Sequence, residues 1–122
     1  AIGIGNPRTL IHIQIPGQMH PIHMDLAYGG GKWDYLGDNK EDKLVRVFIM
    51  LADWCPGQVI LMGNEHIVKW KKGDVIYFRW QDVPHGTCNF GHDERPMMFI
   101  TGELTDKFQQ LLDSKEKQII NI

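Results

Sequence analysis

Gly17-Gln18-Met19-His20-Pro21-Ile22-His23-Met24-Asp25 decides how this chain is read. Its end, His23-Met24-Asp25, sets an imidazole and a carboxylate two residues apart. On an extended strand residues i and i+2 share a face, so both groups reach one point in space. That is two thirds of a facial metal site. His85, in Asp82-Val83-Pro84-His85-Gly86-Thr87, is the candidate for the third ligand. Two imidazoles and one carboxylate on one side of a metal leave the opposite positions open. An H-x-D triplet alone is a common accident, usually a pair of surface residues, so its weight comes from the surrounding chain.

Upstream, Thr9 to Ile15 alternates, with His12 and Gln14 opposite Ile11, Ile13 and Ile15, which reads as a strand. Pro16-Gly17 turns it into a second strand from His20 to Tyr28. Residues 29–42 are polar and Gly-rich yet carry Trp33 and Tyr35; loops this long in compact domains more often serve as lids or binding surfaces. Lys43 to Trp54 is apolar and rich in β-branched residues, so it reads as a buried central strand. Gln58 to Met62, a Gly63-Asn64 turn and Glu65 to Trp70 make a hairpin. Val75 to Trp80, Pro84 to Asn89 and Arg95 to Gly102 complete the strands. Only Asp106 to Ile120 carries a helical stripe, through Phe108, Leu111 and Leu112, with Thr105 as its cap. About eight short strands and one C-terminal helix predict an all-β sandwich or barrel, a single domain over residues 1–122 with its core at about 9–102.

Composition narrows the function. The chain has 122 residues, 43% hydrophobic and 23% charged, as an ordinary globular domain does. A formal net charge of −2 gives no basic footprint, so nucleic acid is not an expected partner. No apolar run is long enough to span a bilayer and no signal-peptide pattern opens the chain, so no membrane association and a cytoplasmic location are expected. Cys55 and Cys88 lack metal-knuckle spacing and are expected as free thiols. No Ser–His–Asp spacing, phosphate loop or paired zinc motif occurs.

Arg95 lies ten residues beyond His85. If its strand runs antiparallel beside the strand of His85, the guanidinium points into the same cavity and can hold a carboxylate through two parallel hydrogen bonds. Most arginines are solvated, but Pro96-Met97-Met98-Phe99-Ile100 is largely apolar, and a charge opening such a strand needs a partner. His12, His66 and His92 lack a strand-spaced carboxylate and read as surface or loop residues. Three residues from His23, His20 falls on the opposite face of a regular strand and reads as structural or substrate-facing. Trp54, Trp70 and Trp80 read as packing residues.

Gln14-Ile15-Pro16-Gly17-Gln18-Met19-His20-Pro21-Ile22-His23-Met24-Asp25 resembles the Y-x-x-G-Q-x-Y-x-x-H-x-D segment of prolyl-4-hydroxylase-like enzymes. With His85 and Arg95 added, the chain resembles an iron(II)- and 2-oxoglutarate-dependent oxygenase over residues 9–102. The resemblance implies a double-stranded β-helix, a jelly-roll or cupin-like barrel, with iron(II) on His23, Asp25 and His85 and the far carboxylate of 2-oxoglutarate on Arg95. It further implies that O2 hydroxylates an unactivated C–H bond of a peptidyl residue or small molecule, releasing succinate and carbon dioxide. Gln14 stands where the family often has a cosubstrate-binding tyrosine and keeps a donor for it; His20 stands at a second such position. Met97 stands where some relatives have a hydroxyl, and Thr87 or Thr101 is its candidate replacement. The related enzymes close a loop over substrate, which makes Trp33 and Tyr35 substrate candidates. They also carry helices before the barrel that buttress one sheet. Almost nothing precedes Thr9 here, so the chain is minimal, is a fragment, or has that surface covered by a partner subunit, as in a homo-oligomer.

Gly73-Asp74, Pro84-His85 and Asn89 are also similar to the second cupin motif, which implies a cupin-type isomerase or a dioxygenase not using 2-oxoglutarate. Against it, the first cupin motif needs H-x-H followed by a glutamate, and His23-Met24-Asp25 does not supply that. A ligand-binding barrel without catalysis is the third reading.

Overall fold

Strand-forming runs separated by turns give eight strands in the computed structural model, which describes residues 3–24, 44–78 and 83–114. They are β1 (Gly5–Gln14), β2 (Met19–His23), β3 (Leu44–Met50), β4 (Gln58–Met62), β5 (Glu65–Ile67), β6 (Val75–Phe78), β7 (His85–Asn89) and β8 (Arg95–Glu103), followed by helix α1 (Asp106–Leu112). Asp25, Trp33, Tyr35 and Trp80 lie outside the described residues.

Two four-stranded antiparallel sheets form, in the orders β1-β8-β3-β6 and β2-β7-β4-β5. Strand β3 is apolar on both faces because both are covered. Leu44, Phe48 and Met50 point between the sheets and meet Ile60, Met62, Phe78 and Met97, with Trp70 in the same cluster. Val45 and Val47 point the other way and pack under Phe108 of α1. The hydroxyl of Thr105 caps α1 by accepting from the Phe108 amide at 3.2 Å and donates to the Gly3 carbonyl.

The structure corrects four expectations. The helix ends at Leu112 rather than running toward Ile120: Asp113 and Ser114 bond locally, the Asp113 amide to Gln109, and residues 115–122 lie outside the described residues. Strands β7 and β8 are not neighbours; they belong to opposite sheets, so Arg95 does not lie on a strand beside that of His85. The third concerns His12, expected at the surface or in a loop. His12 pairs with Met97 and Gln14 with Arg95, which turns both polar side chains inward, while Ile11 and Ile13 stay 56% and 49% exposed on the outer face. That outer face is apolar because the sheet continues it through Met98 and Ile49 to Val75 in one cross-strand row. His12 is therefore not a surface histidine. The fourth correction concerns His20 and belongs with the site.

Cys55 and Cys88 are free thiols, as expected. Among the described residues no helix is long and apolar enough to cross a membrane.

Candidate active site

Strands β2 and β7 bring His23 and His85, two of the expected metal ligands, together. His23 pairs with His85 and His20 with Thr87, so β2 spends three residues where β7 spends two. This one-residue bulge resets the alternation, and His20 and His23 both line the same cleft. The expectation that His20 faces away from His23 holds only for a regular strand. Gly86 makes the bulge possible: a Cβ there would stand 2.8 Å from the His20 carbonyl and 3.1 Å from the Ile22 amide nitrogen.

The His23 and His85 rings lie 4.5 Å apart between centroids. Each is held from behind by a backbone carbonyl, His23 Nδ1 donating to Pro21 at 2.7 Å and His85 Nδ1 to Val83 at 3.0 Å. A carbonyl only accepts, so in the neutral rings the proton sits on Nδ1 and the lone pair on Nε2, the state a metal requires. His85 is buried edge-on against Phe78 at 4.8 Å and Phe48 at 6.4 Å. Asp25, the expected carboxylate ligand, follows two residues after His23 but lies outside the described residues, as do the substrate candidates Trp33 and Tyr35. Among the described residues alone, no group of three His, Cys, Asp or Glu side chains is placed to hold a metal.

His12 and Arg46 join these residues on the cleft wall, over an apolar floor of Phe48, Met97 and Phe99. The His12 ring meets His20 edge-on at 5.0 Å. Burial above all, then the charges of His20 and Arg95, holds the His12 pKa below its ordinary value. Sequence reasoning passed over His12 and Arg46. The pattern of β1 gave no sign of which face was covered. For His20 a signal did exist: Pro21 inside a strand marks an edge or a bulge.

Arg95 adjoins the cleft through Met97. It is 1% exposed, and its Nη1 donates to Met97 Sδ at 3.7 Å. Among the described residues its buried Nε and Nη2 have no hydrogen-bond partner, and burial lowers its pKa to about 10. Beside it Gln14 is fully buried; its Nε2 donates to Thr87 Oγ1 at 3.0 Å and its Oε1 lacks a partner. Asn89 closes this end of the interior, its Nδ2 donating to the carbonyls of Gln14 at 3.0 Å and Asp93 at 2.8 Å. Of the two threonines weighed as hydroxyl donors, Thr87 lies at this end. Thr101 lies at the other, accepting from Arg46 Nε at 2.9 Å. His66 and His92 are exposed, as expected, and Trp70 is core.

No family model matches this chain, and no curated protein matches it. Solved structures do. The plu4264 protein of Photorhabdus luminescens aligns over 91% of this chain and 73% of its own, with a TM-score of 0.55 and 14% identity. A cupin protein from Bacteroides fragilis aligns over 82% and 68%, at 0.54 and 12%. An RmlC-like cupin family protein with a double-stranded β-helix fold, from Methanocaldococcus jannaschii, aligns over 88% and 76%, at 0.51 and 11%. The fold is a cupin-like double-stranded β-helix. Identities this low speak for the fold alone, and a cupin-like barrel hosts many chemistries.

Proposed function

We propose that this barrel is an iron(II)- and 2-oxoglutarate-dependent dioxygenase that hydroxylates a C–H bond of a peptidyl residue or small molecule. The observation that carries this reading is Arg95: a guanidinium sealed in the interior with two nitrogens unpartnered among the described residues calls for an anion. The donor set fits the metal. His23 and His85 present Nε2 lone pairs fixed by Pro21 and Val83, and Asp25 would add the carboxylate that completes a two-histidine, one-carboxylate face.

When bound, iron(II) couples oxidative decarboxylation of 2-oxoglutarate by O2, giving succinate and carbon dioxide, to insertion of a hydroxyl into the substrate. The chain supplies the placement. His23, Asp25 and His85 would hold the metal, and Arg95 would pair with the far carboxylate of 2-oxoglutarate. Gln14 and Thr87 line the path between them and offer hydrogen bonds along it. Met97 stands at the Arg95 end of that path, and its unbranched side chain can turn aside. Phe48 and Phe99 keep the floor dry. Trp33 and Tyr35 are the candidates to contact substrate.

The test is an anaerobic titration with iron(II), with and without 2-oxoglutarate, following the weak visible metal-to-ligand charge-transfer band. A band that needs both components and weakens in Arg95→Ala supports the reading, and Asp25→Ala should abolish turnover. Tight metal binding with no band would overturn it in favour of a cupin-type metalloprotein that does not use 2-oxoglutarate. No metal binding at all would leave a ligand-binding barrel.

A further inference from the structure

The outer face of the sheet β1-β8-β3-β6 is only half covered. Helix α1 packs on the half around Val45 and Val47. Beyond it, strand register lines up Ile11, Met98, Ile49 and Val75 in one row, with Ile13 and Pro96 behind them. Ile11, Ile13 and Val75 are exposed, and the other three are half-buried. None of these positions carries a charge. A sheet face turned to water normally reads polar, and an edge strand such as β1 normally carries lysine or proline to keep other chains away. Here the water-facing positions from Thr9 to Ile13 hold one threonine and two isoleucines. The bare half amounts to roughly 400 Å² of contiguous apolar surface, the size at which a patch marks an interaction site.

What fits this face is the same face of another copy. Close to a two-fold axis each residue meets its own counterpart, so a charge there would repel itself; a self-pairing face must be uncharged at its centre, as this one is. A lipid surface is the poorer match, because an apolar face that lies on a membrane is rimmed by lysine and arginine, and no basic residue stands among these rows. The helix decides the direction of the axis. Sheets pack face to face about 10 Å apart, in the layer that α1 already occupies over Val45 and Val47. With the axis running across the strands, the two bare halves overlap and each helix abuts the end of the other copy's sheet. Adding Thr9, Tyr77 and the side of α1, the contact removes roughly 1,000–1,400 Å² of total surface from water, which is enough for a specific dimer. The cleft lies on the other side of the sheet and stays open.

We infer that two copies of this chain dimerise through the outer face of this sheet, with Ile11, Ile13 and Met98 at the centre of the contact. The inference is independent of the proposed reaction and would stand if that reading fell. The test is sedimentation velocity of the full chain between about 1 and about 200 µM, the range in which a dimer of micromolar affinity forms and dissociates. The expected result is a dimer. Ile11→Lys and Ile13→Lys, made singly, each place two facing charges in the contact and should weaken it at least about tenfold, while thermal melts show the variants folded. Leu10→Lys is the control: Leu10 is equally exposed on the same strand but belongs to the opposite face, opposite Phe99, so the dimer should persist. A measurement that needs no variant is an isotope-filtered NOE experiment on an equal mixture of methyl-labelled and unlabelled chains, in which the Met98 methyl should show contacts to isoleucines of the other copy. The inference is overturned if the parent chain is monomeric throughout that range, whether the face is then covered by residues 115–122, by another protein or by neutral phosphatidylcholine vesicles. It is also overturned if the dimer survives Ile11→Lys and Ile13→Lys, if Leu10→Lys dissociates it equally, or if the dimer gives no Met98 contact between copies.

Discussion

Arg95 is held in the interior against its own preference: two of its nitrogens meet no acceptor among the described residues, and burial has pulled its pKa down to about 10. An unsatisfied buried donor costs about 1–3 kcal/mol, and more when charged. Arg95→Met has comparable length and no charge, so we expect it to raise the melting temperature while weakening 2-oxoglutarate binding by about a hundredfold. Thermal melts and the charge-transfer titration read the two effects separately, and a variant that loses both stability and binding would contradict this. His12 gives a pH signature of definite sign. Its pKa is lowered in the folded chain by burial, His20 and Arg95, so as pH falls the unfolded chain takes up the proton first. This contribution is present above the ordinary value of 6.5, is lost as pH falls below it, and levels off beneath the folded-state value. His12→Gln should flatten that share of the slope, which melts of parent and variant between about pH 7.5 and about pH 5.5 would show.

Among the elements, the β2–β7 pair controls the site more than any single side chain. Gly86 leaves room for the β2 backbone, and a methyl group there meets main-chain atoms that cannot step aside. Gly86→Ala should therefore push β2 away, cost about 1–3 kcal/mol as overpacking does, and weaken metal binding by separating His23 from His85. A urea melt combined with a zinc(II) titration checks both. The same pair shows where the sequence could and could not be read. Gln58 to Met62 and the opening of β8 at Arg95 were legible, because turn residues and a change of pattern bound them on both sides. Strand spacing linked His23 to Asp25 and not to His85, so the β2–β7 pairing that sets His23 opposite His85 could not be read from it. His20 was not legible either, because a bulge breaks the alternation on which the reading rests. The faces of β1 were not, because alternation separates two faces without saying which one is inside. The sheet assignment of β8 was invisible because a turn of a few residues can return a chain to its own sheet or carry it across to the other.

For the whole molecule, the sheet β1-β8-β3-β6 divides stability from chemistry. On its inner side lie the cleft and the core around Phe48; on its outer side Phe108, 2% exposed, packs on Val45 and Val47 and meets the Tyr77 ring edge-on at 5.8 Å. Phe108→Ala should cost about 3–5 kcal/mol by leaving a cavity under α1. Below its melting temperature the variant should bind metal as the parent does, since among the described residues the side chains of that cluster and those lining the cleft lie on opposite faces of the sheet. Denaturant melts and zinc(II) affinity measured together test this; a parallel loss of both would mean the two sides of the sheet are coupled. The placement of His85 and Arg95 on facing sheets has a further consequence in the proposed reaction. Each end of the keto diacid would be gripped from a different wall, so the gap between the walls acts as a caliper. A homologue one carbon shorter leaves one jaw closed on nothing, and one a carbon longer must buckle. Discrimination within a homologous series then comes from the register of strands, with no residue dedicated to it.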